Sequence, residues 1–495
     1  MAMVAELRNA ESRGLVAADY DGAALFAALR SGDASASVES QLTRMSMRFV
    51  DHVQHGRVDP RTLGFALPRA AEPRESAALV AELSRSRDVH AAIDSLEPPY
   101  ARFRALESLL ARYRSLAAST ELAALPERRT TLRPGDRWSG MGALRALLGA
   151  TGDAPEPPAD AVTGADSDQL DSSLVEGVKR FQLHHGLVAD GIVGRLTLAE
   201  LRTPFASRVT QIELTMERWR WLPVLDAPRL IVVNIPEFHL YALDRRADGA
   251  RTEEVMDVIV GSAYNGRRTP VFASDMRSVI FHPYWDVPRS IARREEILHI
   301  RRDPGYADRQ GMEIVRGGDV GAVRYAMTPS NMQRVIDGGL RLRQRPGPRN
   351  ALGAVKFVFP NPYNVFLHGT PEEYLFAQLR RDFSHGCVRA SDPAALADFV
   401  LRDEGWDPAR IRDAMGGEEE MRRVTLKHPI PVFVVYATVV VDEDGAPSFY
   451  PDIYGHDAAL ARTLRLGAPR IADRTLAARG FGDGDCLTDS CACGS

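Results

Sequence analysis

The chain has 495 residues, 62 Lys+Arg against 66 Asp+Glu for a formal charge of −4, and 45% hydrophobic residues. That length argues for two to four domains, with apolar residues enough for several cores. The balanced charge, without a basic tail or polybasic patch, excludes a global field that would hold nucleic acid or an anionic membrane, so no nucleic-acid partner is expected.

The opening stretch, MAMVAELRNAESRGLVAADY, lacks the basic and apolar regions of a signal peptide, and no apolar run reaches membrane-spanning length, which taken literally means a cytosolic protein. From Ser37, the apolar residues Val38, Leu42, Met45, Phe49 and Val53 recur at steps of three and four until Gly56 stops the pattern. A second run follows Pro98-Pro99, with Tyr100, Phe103, Leu106, Leu109, Leu110, Tyr113 and Leu116 at helical spacing. Residues 1–130 are therefore expected to form a helical scaffold whose stripes pack a core.

Residues 131–204 read as a separate unit of three short helices, interrupted by a Pro/Asp/Ala/Gly-rich loop at 151–168. Met141, Leu144, Leu147 and Leu148 mark one helix, Leu174, Val175, Val178 and Phe181 a second, and residues 196–201 a third. Each is too short to be stable alone, so they must share a core. Val178-Lys179-Arg180-Phe181-Gln182, Gly186-Leu187, Asp190-Gly191-Ile192-Val193-Gly194 and Thr197 resemble the peptidoglycan-binding domain found beside wall enzymes; the alternative is a generic three-helix insert. His184 and His185, at the end of the second helix, are expected to be surface or capping residues, not ligands.

A return scaffold helix is expected within residues 205–226, and β-structure dominates from 227 to 479. Leu230-Ile231-Val232-Val233-Asn234-Ile235 and the runs at 238–243, 255–260, 277–281, 355–359 and 365–367 are β-branched or aromatic stretches bounded by turn residues. The runs at 431–441 and 448–450 flank Asp442-Glu443-Asp444-Gly445, which reads as a hairpin turn and not as a calcium loop. More than sixty residues separate the strand ending near Val287 from the one starting near Val355, too many for a simple connection. We read residues 289–353 as a lid over a binding site, opening with a helix at 291–300. The tail, 480–495, is Gly/Asp-rich and carries Cys486, Cys491 and Cys493, which lack a fourth ligand nearby, so no metal is expected. The fold class is thus α+β and multidomain: helical scaffold, three-helix domain, and a mostly-β domain with an inserted lid.

The fourth cysteine, Cys387, lies inside the folded body in Ser384-His385-Gly386-Cys387-Val388-Arg389, and a lone thiol beside histidines suggests a nucleophile. A thiol titrates above neutral pH, so it needs a base. His385 is too close along the chain to be sure of a useful approach. His368, nineteen residues upstream, ends the run 365–367, and antiparallel strands would bring it alongside Cys387. The carbonyl of Gly369 would accept the other imidazole proton and fix the tautomer. The N–H groups of Gly386 and Cys387 would form an oxyanion hole.

His368-Gly369-Thr370-Pro371 followed by Ser384-His385-Gly386-Cys387-Val388-Arg389 resembles the L,D-transpeptidases, whose YkuD-type catalytic domain carries a histidine, a spacer, then Ser/Thr-His-Gly-Cys. Thr269-Pro270, Pro283-Tyr284-Trp285-Asp286-Val287-Pro288 and Asn350-Ala351-Leu352-Gly353-Ala354-Val355-Lys356-Phe357 resemble the large, lid-bearing class, although Phe366 stands where some members have tyrosine. The resemblance implies acyl transfer on peptidoglycan stem peptides and glycan without a cofactor. Cys387 would attack the third stem residue, diaminopimelate, and release D-alanine, and a second stem's amine would then resolve the thioester. It implies His368 as base, His385 shaping the oxyanion turn with Ser384, and Arg389 pairing a stem carboxylate. Tyr284, Trp285 and Asn364 become pocket residues, carbapenem-type compounds inhibitors, and the periplasm or cell surface the location, with the export segment absent from this chain. Alternatives are an L,D-carboxypeptidase or endopeptidase using the same acyl-enzyme, and a non-catalytic wall-binding scaffold. A papain-like hydrolase lacks support, because that family's Cys-before-His order is absent.

Overall fold

The structure, a computed structural model, describes residues 1–466 except 34, 69–74, 121, 123, 128–129, 155–167, 224, 246–250 and 319–320. Most of the expected loop at 151–168, and the tail with Cys486, Cys491 and Cys493, lie outside the described residues. The chain divides into two compact units, residues 1–223 with 437–466 and residues 225–436.

In the first unit, helix Ala36–His55 buries Met45, Phe49 and Val53 against Val4, Leu7 and Tyr20 from the N-terminal segment. Helix Ala101–Ala118 buries Phe103, Leu106, Leu110 and Tyr113 against Ile212 and Met216 of helix Phe205–Trp219. The same core takes in Val439, Val441 and Phe449 from the antiparallel strands Val439–Val441 and Pro447–Phe449, joined through Asp442-Glu443-Asp444-Gly445. Residues 437–466 therefore pack with the helices and not with the mostly-β domain, where the sequence pattern had them. Their alternating apolar side chains find the helical core, and burial there outweighs sequence proximity.

Helices Met141–Thr151, Ser172–His184 and Arg195–Leu201 share one core that includes Met141, Leu144, Leu148, Leu174, Val178, Phe181 and Leu201. Gln182 ties the following turn to its helix: Nε2 donates to Asp190 Oδ1 at 2.9 Å and to the Ile192 carbonyl at 3.0 Å, and Oε1 accepts from Gly191 N–H at 2.8 Å. His185 takes the C-cap position after Ser172–His184, one of its two expected roles, and is not a surface residue. It is buried, stacks on Phe181 and Phe449, and gives Nδ1 to the Phe181 carbonyl at 2.7 Å, while His184 pairs with Asp153 at 2.6 Å. One turn after Phe181, the flat ring fills an apolar gap.

The second unit is built on a nine-stranded sheet. Its order is Asp382–Ser384, Arg251–Gly261, Val388–Ala390, Leu367–His368, Val355–Val358, Phe272–Phe281, Arg422–Val435, Arg229–Asn234 and His239–Arg245. The last strand pairs with Arg251–Gly261 over seven residues, which closes the sheet into a barrel. Closure removes exposed edges and gives each strand an inner and an outer face.

Residues 289–344 form a subdomain on this barrel. A helical run, Arg289–Ile291, a π-helical turn Ala292–Glu296 and Ile297–Arg302, leads to strands Met312–Arg316, Val323–Tyr325 and Arg341–Gln344, with helix Pro329–Ile336 between the last two. These strands add to Trp285–Asp286 as a second sheet, over a core of Ile291, Ile297, Ile314, Met332, Val335 and Leu342. The segment thus has a hydrophobic core of its own.

Candidate active site

Strands Leu367–His368 and Val388–Ala390 run parallel, with Leu367 opposite Val388 and His368 opposite Arg389. The antiparallel arrangement expected from the sequence is therefore replaced, yet the juxtaposition survives. Side chains alternate along a strand, so Cys387 and Arg389 share a face, and the register puts His368 on it too. All three line one cleft with Tyr284, Trp285, Phe366, Ser384 and His385. Cys387 is 8% exposed and His368 4%, so both are shielded but reachable from that cleft.

His368 lies 2.5 Å through Nδ1 from the Gly369 carbonyl. A carbonyl only accepts, so Nδ1 carries the proton and Nε2 the lone pair. Burial, then the charges of Arg389 and Lys356, push the imidazole down to about 3, against the opposing pull of the Gly369 and Leu352 carbonyls. It is therefore neutral at physiological pH. The Gly369 carbonyl is placed by Gly353, at φ +65°, where a Cβ would stand 2.8 Å from its carbon. Only glycine allows that approach without displacing residue 369.

The nucleophile turn has its own brace. Ser384 Oγ donates to the Cys387 carbonyl at 2.5 Å and accepts from Gly386 N–H at 3.1 Å. Gly386 sits at φ +124°, which favours glycine, and its carbonyl accepts from Thr269 Oγ1 at 2.8 Å. The Gly386 N–H is thus committed to Ser384, which corrects the expected pairing of the Gly386 and Cys387 amides as an oxyanion hole. The Cys387 thiol lies 3.8 Å from the Asn364 carbonyl, and Asn364 adopts φ +53° to present it.

His385 is engaged by a carboxylate. Its Nε2 lies 3.0 and 3.2 Å from the two carboxylate oxygens of Glu295, in the π-helical turn of the 289–344 subdomain. Glu295 also pairs with Arg267, and these two cationic or donating partners hold its carboxyl below the usual range despite burial. Tyr284 is buried, its hydroxyl 2.5 Å from Glu420 and its ring 3.9 Å below the Arg343 guanidinium; burial and Glu420 raise its pKa. Arg389 Nη1 pairs with Glu372 at 2.6 Å, while its Nε is buried with no hydrogen-bond partner among the described residues.

Four charged residues were not singled out from the sequence: Glu295, Arg267, Lys356 and Arg423. The first two reach the turn from the 289–344 subdomain and from a loop. Lys356 lies on the strand paired with that of His368, and Arg423 two strands further along the same sheet, so only strand pairing relates them. Among the described residues no group of three His, Cys, Asp or Glu side chains is arranged to hold a metal ion.

Comparison with known proteins gives three family matches: the L,D-transpeptidase catalytic domain (YkuD) at residues 228–432, a scaffold domain at 1–110, and a "putative peptidoglycan binding domain" at 148–201. A "Putative L,D-transpeptidase" of Haemophilus influenzae is 31% identical over 293 residues, 58% of this chain and 57% of that protein. The N-acetylmuramoyl-L-alanine amidase CwlM of Mycobacterium tuberculosis is 38% identical over 73 residues, 14% of this chain and 18% of that protein. The chain thus spans little more than half the length of the first relative and under a fifth of the second. A crystal structure of a fused Zn-dependent amidase/peptidase/peptidoglycan-binding protein from Clostridium acetobutylicum covers 62% of this chain and 100% of that one at 10% identity, with a TM-score of 0.17, too low to bear on the fold.

Proposed function

From a chain that carries an L,D-transpeptidase catalytic domain and a peptidoglycan-binding domain, we propose an enzyme that cross-links peptidoglycan stems through a Cys387 thioester. The observation that carries this reading is the neutral, tautomer-fixed imidazole of His368 on the same cleft face as the Cys387 thiol. His368 Nε2 takes the thiol proton as sulfur attacks the carbonyl of the third stem residue, diaminopimelate in our reading. The bond to the terminal D-alanine breaks, and its nitrogen leaves with the proton that His368 returns. The side-chain amine of a second stem then attacks the thioester, passes a proton to the thiolate through His368, and leaves a direct link between two third-position residues.

In this reading Ser384 and Gly386 hold the turn, His385 is anchored to Glu295, and Arg389 offers its Nε to a stem carboxylate. Tyr284, Trp285 and Phe366 form apolar walls, and Asn364 orients the thiol. A carbapenem, an acylating mimic of the donor, would add to Cys387. The substrate lies outside the cytoplasmic membrane, so the periplasm or cell surface is the proposed place of work; among the described residues no helix is long and apolar enough to cross a membrane.

Mass spectrometry of the protein incubated with disaccharide-tetrapeptides tests the proposal. Released D-alanine with cross-linked dimers is expected. Tripeptide monomer alone would replace the transpeptidase with an L,D-carboxypeptidase, and no turnover would leave a wall-binding scaffold. Carbapenem adduct on wild-type protein but not on Cys387→Ala is the second expected result; adduct on both would place the nucleophile elsewhere.

A further inference from the structure

The strand register lines up a row of side chains across the barrel. Arg389 lies opposite His368, His368 opposite Lys356, Lys356 opposite Ile280, and Ile280 opposite Arg423. Facing residues on neighbouring strands share a face, and all five line the cleft. Three of the five are cations, and adjacent strands lie about 4.8 Å apart, which puts the Arg423 backbone about 14 Å from that of His368.

Acidic side chains are scarce in the lining around these cations. The cleft's one acidic lining residue, Asp286, is held by Arg341 at 2.7 Å. Arg389 spends Nη1 on Glu372 and keeps a buried Nε without a partner among the described residues. Lys356 Nζ lies 3.8 Å over the Phe366 ring. Arg423 Nη1 donates to the neutral Ser278 hydroxyl at 3.2 Å, while the carboxylate of Glu419 goes to the preceding Arg422. A row of this kind in a partly shielded cleft attracts anions, and guanidinium matches a carboxylate by two parallel hydrogen bonds.

We propose that this row is a carboxylate-reading subsite: the cleft takes peptides with at least two free carboxylates, one held beside His368 by Arg389, the other toward Arg423, whose backbone is about 14 Å from that of His368. This rests on the reading of the cleft as the donor-stem site. It makes Arg423 a specificity-determining residue remote from the reacting atoms. A donor whose carboxylates are amidated, or replaced by a neutral residue, loses the interaction and binds weakly.

Calorimetric titration of the Cys387→Ala protein separates this proposal from the reaction, because it needs no turnover. The probes are a diaminopimelate-containing tetrapeptide and the same peptide with its carboxylates amidated one at a time. Amidation at one position should weaken binding about tenfold in the Cys387→Ala protein and have no further effect once Arg423→Gln is added, a coupling of the kind a double-mutant cycle isolates. Arg423→Lys, which keeps the charge but not the fork, should retain part of the preference. Equal affinity for free and amidated peptides, or an Arg423→Gln loss that is the same for every peptide, would overturn the proposal. Failure of the wild type to release D-alanine while this preference persists would instead overturn the proposed reaction and leave the subsite standing.

Discussion

Replacing Ser384 with alanine removes one buried hydroxyl that serves two backbone groups of the nucleophile turn, Gly386 N–H at 3.1 Å and the Cys387 carbonyl at 2.5 Å. Ser384 is 3% exposed, so water does not readily replace it. A buried donor left without its acceptor costs about 1–3 kcal/mol, and the lost carbonyl bond about 1 kcal/mol more, for a total of about 2–4 kcal/mol. For a unit the size of residues 225–436, that corresponds to a drop in Tm of about 4–16 °C. Gly386, at φ +124°, would then be held only from the Thr269 side. A shift of the sulfur by about 1 Å costs up to about 100-fold in rate, so kcat for D-alanine release should fall by 10- to 100-fold while the donor's KM changes little. Calorimetric melting and steady-state kinetics measure the two effects. Ser384→Thr, which keeps a hydroxyl, should recover most of both. A Ser384→Ala protein that melts and turns over like the wild type would refute the brace.

Glu295→Ala should lower kcat about tenfold by freeing His385 from its carboxylate partner, whereas Glu295→Gln should remain near wild type, because Oε1 accepts from both His385 and Arg267. Equal losses in the two variants would show that charge, not position, is what Glu295 supplies. Gly353→Ala puts a Cβ 2.8 Å from the Gly369 carbonyl carbon at φ +65°, which costs about 1–3 kcal/mol and disturbs the acceptor of His368, so stability and turnover should fall together in melting and kinetic assays. His185 is held down to about 3 by burial and Arg208, below its ordinary 6.5. The unfolded chain therefore binds the proton first: the stability that His185 contributes is complete above pH 6.5 and is lost as pH falls toward 3. Urea unfolding across that range should show a steep loss, and His185→Gln should flatten it without abolishing it, since His52, held down to about 4 chiefly by burial, remains. Identical slopes would remove His185 as a cause.

Parts of the site that depend on neighbours in the chain were legible. The Gly369 carbonyl follows His368 directly, and the six residues from Ser384 to Arg389 form a local turn. The commitment of Gly386 N–H to Ser384 was also within reach, because a serine hydroxyl commonly bonds the N–H two residues on. Strand direction was not. Leu367–His368 and Val388–Ala390 have two and three residues, too few for a directional pattern, and the intervening segment is long enough for the crossover that a parallel pair requires. The basic row was hidden for the same reason. Lys356 and Arg423 lie 67 residues apart in the chain, and each alone reads as a solvated charge at a strand. Residues 437–466 show the reverse failure: a continuous β-rich stretch suggested a continuous domain, but Val439, Val441 and Phe449 complete a helical core.

The same row bears on how His368 acts. An imidazole pushed down to about 3 is a weak acceptor for a thiol proton, and after burial the named causes are Arg389 and Lys356, its two flanking neighbours in the row. Cations that depress a base are costly unless the ligand brings the opposite charge. A carboxylate docked beside Arg389 would offset its potential at Nε2 and raise the imidazole's affinity for a proton only when the donor is present. The donor itself would then supply charge that makes His368 a better base. On this account Arg389 has a double role: it selects a carboxylate, and that carboxylate would in turn favour proton transfer to His368.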